Sequence, residues 1–237
     1  MAGSLGRVYP AHFDHVEAYP LDLAVATPKV QPLAPGTNWY SGFDAPVKGS
    51  DGKYRWPSKK LGTIRGGHDY CICPPSMLHL DTPAFRTFYN QLREPACEGF
   101  GHGRRYSLIY GVTFDPLHLY DDARRAEDTY PSGEGSTNDA VCKALAKWGI
   151  HEQIGPKVAE RVALVKDDEK VTKTISSYKW ATSVDQILAV LGITDGGEIP
   201  MLQSWGPKDY PNVTYVDPAV MERLMREGGE CDVLVDR

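Results

Sequence analysis

The chain has 237 residues, 41% of them hydrophobic and 24% charged, with a net charge of −5; that is enough apolar material for one large domain or two small lobes, so disorder is not the default expectation. The mild acidity is spread along the sequence, and no run of Lys or Arg is long enough to grip phosphates, which argues against nucleic acid as a partner. The longest apolar stretches, such as 184–193, fall far short of the ~20 residues that span a bilayer, and no basic-then-apolar leader opens the chain; the expectation is a soluble cytoplasmic protein with no membrane partner.

Residues 1–36 hold scattered Pro and Tyr without periodicity and end in Pro32, Pro35 and Gly36, which reads as an extended arm lying on the body. From Asn38 to Arg65 the text is aromatic-rich and broken by glycines, predicting strands and a hairpin around Ser50, Asp51 and Gly52. Gly66, Gly67, His68, Asp69, Tyr70, Cys71, Ile72 and Cys73 alternate as a strand that Pro74 and Pro75 stop. Pro95 and Ala96 then introduce Cys97 and a segment of helix length through Phe100, Tyr106, Leu108 and Tyr110.

A second helix runs through Leu117, Leu119, Tyr120, Ala123 and Ala126, with Asp121, Asp122, Glu127 and Asp128 read as its solvated face and not as a metal site. A third follows Gly133 with Ser136 as N-cap and stops at Gly149. The charged segment 156–179 carries no readable pattern. Ser183 and Gln186 form a capping box for a helix ending at Gly192, and Asp217 with Pro218 opens a last helix to Gly228 and Gly229. Residues 231–235 close the chain as a strand.

The five cysteines, Cys71, Cys73, Cys97, Cys142 and Cys231, are an odd number with no repeated spacing, so they specify neither a disulfide scaffold nor a four-cysteine zinc site. Cys71 and Cys73 share one face of a strand and read as two small buried hydrophobes. Cys97 differs, because unpaired N–H groups and the dipole at a helix start stabilise a thiolate. Gln91 lies six residues before it, near enough to offer an amide to an oxyanion, with the Cys97 N–H as the second donor.

The run from Gln91 through Pro95 and Cys97 to Phe100 resembles the Gln-to-Cys segment of papain-superfamily cysteine peptidases. Tyr120 to Arg124, then Gly133 to Ser136 before an alanine-rich helix and Trp148-Gly149, is similar to that family's helical lobe. Leu202-Gln203-Ser204-Trp205-Gly206-Pro207 looks like the element whose Asn orients the catalytic histidine and whose Trp shields it. The resemblance covers most of residues 85–237 and is nearest to intracellular relatives without a propeptide, of the kind found in bacteria and their phages.

Two features depart from that family. Its histidine follows the cysteine, yet after Cys97 only His102, His118 and His151 remain, none in a suitable setting. Gly66-Gly67-His68, preceded by Asn38 to Phe43, resembles the family's histidine hairpin but stands before the cysteine, so the hairpin reads as transposed. His68 is then the candidate base, the alternative being a strand histidine bonded within a sheet. Gln203 also replaces Asn; its longer amide either accepts from the imidazole or is a polar strand-end residue beside Trp205.

The resemblance implies an α+β, two-lobe papain-like fold after the arm: a hairpin segment at 37–75, a helical lobe at 85–150, and a β-rich lobe with a C-terminal helix at 151–237. It implies Cys97, His68, Gln203 and Gln91 as the catalytic set and Trp205, Gly66 and Gly67 against substrate, with peptide or isopeptide bonds cleaved through a thioester. No metal and no organic cofactor is required. Glu98 beside the thiol raises its pKa and argues for weak activity. The alternatives are a protease-like domain without turnover, serving as a structural or binding protein among the subunits of a phage virion or other complex, and an acyltransferase using the same Cys and His.

Overall fold

The computed structural model describes residues 30–79, 89–91, 93–151, 172–173, 175, 177–194, 196–206 and 210–234. The arm up to residue 29, Pro207, and the unassigned stretch up to residue 171 lie outside the described residues.

Strand β1 (Ala34–Tyr40) begins within the stretch read as arm, and it is central. It pairs antiparallel with β4 (Ile64–Asp69) on one side, Thr37 opposite His68 and Asn38 opposite Gly67, and with β11 (Glu230–Leu234) on the other. β8 (Tyr178–Trp180) completes this four-stranded sheet beside β11. The hairpin predicted at Ser50 to Gly52 is present: β2 (Val47–Lys48) and β3 (Tyr54–Arg55) pair across a turn in which Gly52 takes φ 82°, a left-handed conformation that favours glycine.

The strand predicted from Gly66 to Cys73 is two strands, because the chain bends at Tyr70 and β5 (Cys71–Ile72) joins a second sheet. There Cys71 faces Leu202 across β9 (Ile199–Leu202), which pairs in turn with β10 (Val213–Val216) and so with β3. Strands from the first third of the chain are thus zipped to strands from its last sixth, and chain order places no limit on which edges meet.

The helices are α1 (Cys97–Tyr110), α2 (Pro116–Ala126), α3 (Asn138–Lys147), α4 (Val184–Leu191) and α5 (Pro218–Arg226). The fold class is α+β. Asp217 caps α5 by accepting from Ala219 N at 2.8 Å, as its sequence implies. Ser183 caps α4, but the Gln186 side chain bonds the N–H of Thr182 at 2.6 Å, one residue further back than a capping box requires. The cap of α3 is Thr137, not Ser136: the Thr137 hydroxyl accepts from Ala140 N at 3.2 Å, while Ser136 donates to Glu127 at 3.1 Å. Thr137 also donates to Glu127 at 2.6 Å, so this carboxylate ties the end of α2 to the start of α3 and is not a free solvated group.

Two cores result. One surrounds Trp39, Phe43, Trp56, Ile187, Met201 and Met221 in the β-rich part. The other joins Tyr106, Leu119, Val141 and Leu145 of the first three helices to Ile150 and Leu234. Helix α1 lies between them and is buried along most of its length. It gets that close because of its glycines: a Cβ at Gly99 would stand 2.2 Å from the Pro116 carbonyl, and one at Gly101 would stand 1.9 Å from an Asp69 carboxylate oxygen. Arg105, fully buried on α1, pairs with buried Asp232 of β11 and donates to the Pro32 carbonyl at 3.0 Å. Breaking such a buried pair costs about 3–5 kcal/mol.

Candidate active site

His68 stands on β4 with 2% of its surface exposed. Its Nε2 meets Gln203 Oε1 at 2.9 Å, and its ring stacks on Trp205 at 4.7 Å between centroids with the planes 23° apart. Trp39 meets the same ring edge-on at 4.9 Å. The local fold explains the meeting: Cys71 of β5, three residues past His68, pairs with Leu202, the residue before Gln203. With Nε2 engaged, His68 Nδ1 is buried and has no hydrogen-bond partner among the described residues. Burial pulls the imidazole pKa down to about 4, against the opposing pull of Gln203, so the ring is neutral at pH 7.

Cys97 is the first residue of α1 and 9% exposed. A backbone hydrogen bond from Asp69, the residue after His68, acts on its sulfur and opposes the rise in its pKa. The thiol itself donates to the Glu98 carboxyl. Burial, then the charges of Glu98 and Asp69, push the Cys97 pKa well above its ordinary value. Both carboxyls respond in kind: burial lifts Glu98 to about 7 and Asp69 well above the usual carboxylate range. The resting groups are therefore a thiol and a neutral imidazole, not the thiolate that a helix start favours, because desolvation and two acidic neighbours outweigh one helix end.

Gln91 reaches the site along a short bridge. Its N–H donates to the Ser204 carbonyl at 2.7 Å, its Oε1 accepts from the Ser204 hydroxyl at 2.6 Å, and Asn90 pairs with Trp205. Its amide nitrogen donates to the Glu94 carbonyl at 3.2 Å, which engages one of its two N–H groups and leaves the other. Gly66, with φ 155°, occupies backbone space that side chains avoid, while a Cβ at Gly67 would meet nothing within 4 Å. The space open at Gly67 lies on the face of β4 opposite the His68 ring.

No family model matches the chain, and no curated protein matches it. Among solved structures it is similar to proCathepsin B S9 from Trypanosoma congolense, with a TM-score of 0.48 and 10% identity over 70% of this chain and 82% of that one. So slight a likeness leaves the chemistry to be argued from the site's own atoms. Among the described residues no helix is long and apolar enough to cross a membrane.

Of the remaining sequence-based expectations, Cys71 and Cys73 are buried together against Leu108 and Leu202, as two small hydrophobes should be. His102 is fully buried on α1, bonded through Nε2 to Asn138 at 3.0 Å and 3.6 Å from Asp232. The acidic face of α2 needs a correction: Asp122 is 5% exposed and turns inward, 3.2 Å from His118 and bonded to Arg125. Asp69 was missed as a site residue. The signal was present in Gly101, whose missing side chain is what admits the Asp69 carboxyl against α1.

Proposed function

We propose that this chain is a papain-like thiol hydrolase with the histidine hairpin transposed ahead of the cysteine, acting on peptide or isopeptide bonds. One observation carries the reading: His68 is held at Nε2 by Gln203 and covered by Trp205, which leaves its buried Nδ1 without a hydrogen-bond partner among the described residues. In this scheme the thiol proton passes to His68 Nδ1 as sulfur attacks the carbonyl carbon. The tetrahedral oxyanion is met by the Cys97 N–H and the remaining amide N–H of Gln91. The C–N bond breaks, the amine leaves with the proton from His68, and water then cleaves the thioester and restores the thiol. Gln203 keeps the imidazole turned toward sulfur.

A second reading has its own support. The thiol bonded to Glu98 and flanked by Asp69 suits a protease-like domain without turnover that serves as a binding or structural subunit. The two readings separate on labelling with an epoxysuccinyl inhibitor and mapping of the adduct. Fast modification confined to Cys97 and lost in His68→Ala supports the hydrolase; slow, even modification of all five thiols supports the inert domain.

A further inference from the structure

Away from the Cys97 site, α2 and the short strand β6 (Ile150–His151) bring together His118, Asp122 and His151. One ligand atom of each lies within 4.8 Å of the others. We propose that these three side chains bind one divalent transition-metal ion of the Zn²⁺ class, with solvent completing its coordination.

The chemistry suits such an ion, since two imidazoles and one carboxylate are a borderline-soft donor set for which Ca²⁺ and Mg²⁺ are poor occupants. The spacing suits it as well. His118 Nε2 and Asp122 Oδ2 are 3.2 Å apart, close to the ~3.3 Å that separates two ligands on a tetrahedral ion with bonds of about 2.0 Å. They come from positions one turn apart on a single helix face.

The third ligand is held in place by backbone. Asp115 caps α2 through its carboxylate, which accepts from Leu117 N and His118 N at 3.0 Å each. Its own N–H donates to the His151 carbonyl at 2.9 Å. That bond ties β6 to the helix start; the His118 and His151 rings stand with centroids 4.3 Å apart and planes 21° apart, so one ring has to turn for both nitrogens to aim at the same ion. Arg125 engages the other oxygen of Asp122 at 2.5 Å, orienting the carboxylate and leaving Oδ2 for the ion. Its positive charge also opposes that of the ion and lowers affinity. His118 and His151 each keep part of their surface exposed, so an ion has a way in. An ion here clips β6 onto the helical core.

The test uses the full chain carrying Cys97→Ser, so that thiol binding is not counted. Zn²⁺ is added in calorimetry and thermal melts, and Co²⁺ in visible absorption. One equivalent of Zn²⁺ should bind, raise Tm by about 2–4 °C, and do neither after His151→Ala. Co²⁺ should give a d–d band without sulfur charge transfer, a readout on the parent protein that stands even if His151→Ala fails to fold. The proposal is overturned if Zn²⁺ leaves Tm unchanged, if binding survives His151→Ala in a folded protein, or if Co²⁺ gives no band or shows thiolate charge transfer.

Discussion

Around His68 the chain gathers Trp39, Trp205 and the amide of Gln203, whereas around Cys97 it gathers the carboxyls of Glu98 and Asp69. Rings and an amide fix an imidazole's orientation without adding charge. Two carboxyls beside a thiol oppose its ionisation. Positioning and electrostatics are thus separable: the histidine half holds a neutral imidazole in a fixed orientation, while the cysteine half holds its sulfur protonated. A hydrolase needs both, and the substitutions below ask whether the second half can be released without disturbing the first.

The largest effect is expected from His68→Ala, which removes the proton acceptor: labelling of Cys97 by an epoxysuccinyl inhibitor should fall about a thousandfold. An unchanged rate would detach the two halves altogether. Next comes Trp39→Ala, which empties the fully buried ring position between Phe43, Trp56 and His68 and should cost about 3–5 kcal/mol in urea unfolding. A cost under about 1 kcal/mol would show that the histidine half is not held by its aromatic frame.

The pH dependence of stability separates the halves by sign. Glu98 has a folded pKa of about 7 against an ordinary 4.5, so its contribution is fully present below pH 4.5 and lost as pH rises through 7. His68, lowered to about 4 from 6.5, does the reverse: its contribution is present above pH 6.5 and lost as pH falls through 4. Glu230, also raised to about 7, adds to the first trend. Unfolding free energy compared between wild type and Glu98→Gln isolates Glu98. The variant should gain roughly 2–3 kcal/mol relative to wild type between pH 4.5 and 8, and a pH-independent difference would remove Glu98 from the buried site. The smallest effect is kinetic: Glu98→Gln takes away the nearest negative charge and should speed iodoacetamide labelling of Cys97 at pH 7 by about tenfold.

Elements with local chemical punctuation were legible in the sequence. Asp217 followed by Pro218, Ser183 before its apolar run, and the glycine-marked hairpin at Ser50 to Gly52 all depend on neighbours within four residues. The cap of α3 was not, because Ser136 and Thr137 are adjacent hydroxyls and the choice is made by Glu127 from the preceding helix. The bend at Tyr70 escaped for the same kind of reason: alternation runs smoothly through it, and only β9, arriving from far along the chain, draws Cys71 and Ile72 into another sheet.

Cys97, His68, Gln203 and Trp205 could be named from motif resemblance, whereas the meeting of His68 with Gln203 and Trp205 follows from strand pairing that no local pattern encodes. Protonation was legible in part, through Glu98 beside the thiol. A helix start is visible in sequence, but the desolvation of Cys97 and the Asp69 carboxyl lying over Gly101 exist only once α1 has packed on β4.

The most direct measurement is a double-variant cycle on alkylation. Iodoacetamide labelling of Cys97 at pH 7 is compared in wild type, Glu98→Gln, His68→Ala and the combination. If the sulfur and imidazole face one another, the acceleration from Glu98→Gln should shrink several-fold when His68 is absent, since the released thiol has lost its proton acceptor. An equal acceleration with and without His68 would show that the two groups do not communicate, and the hydrolase reading would fall.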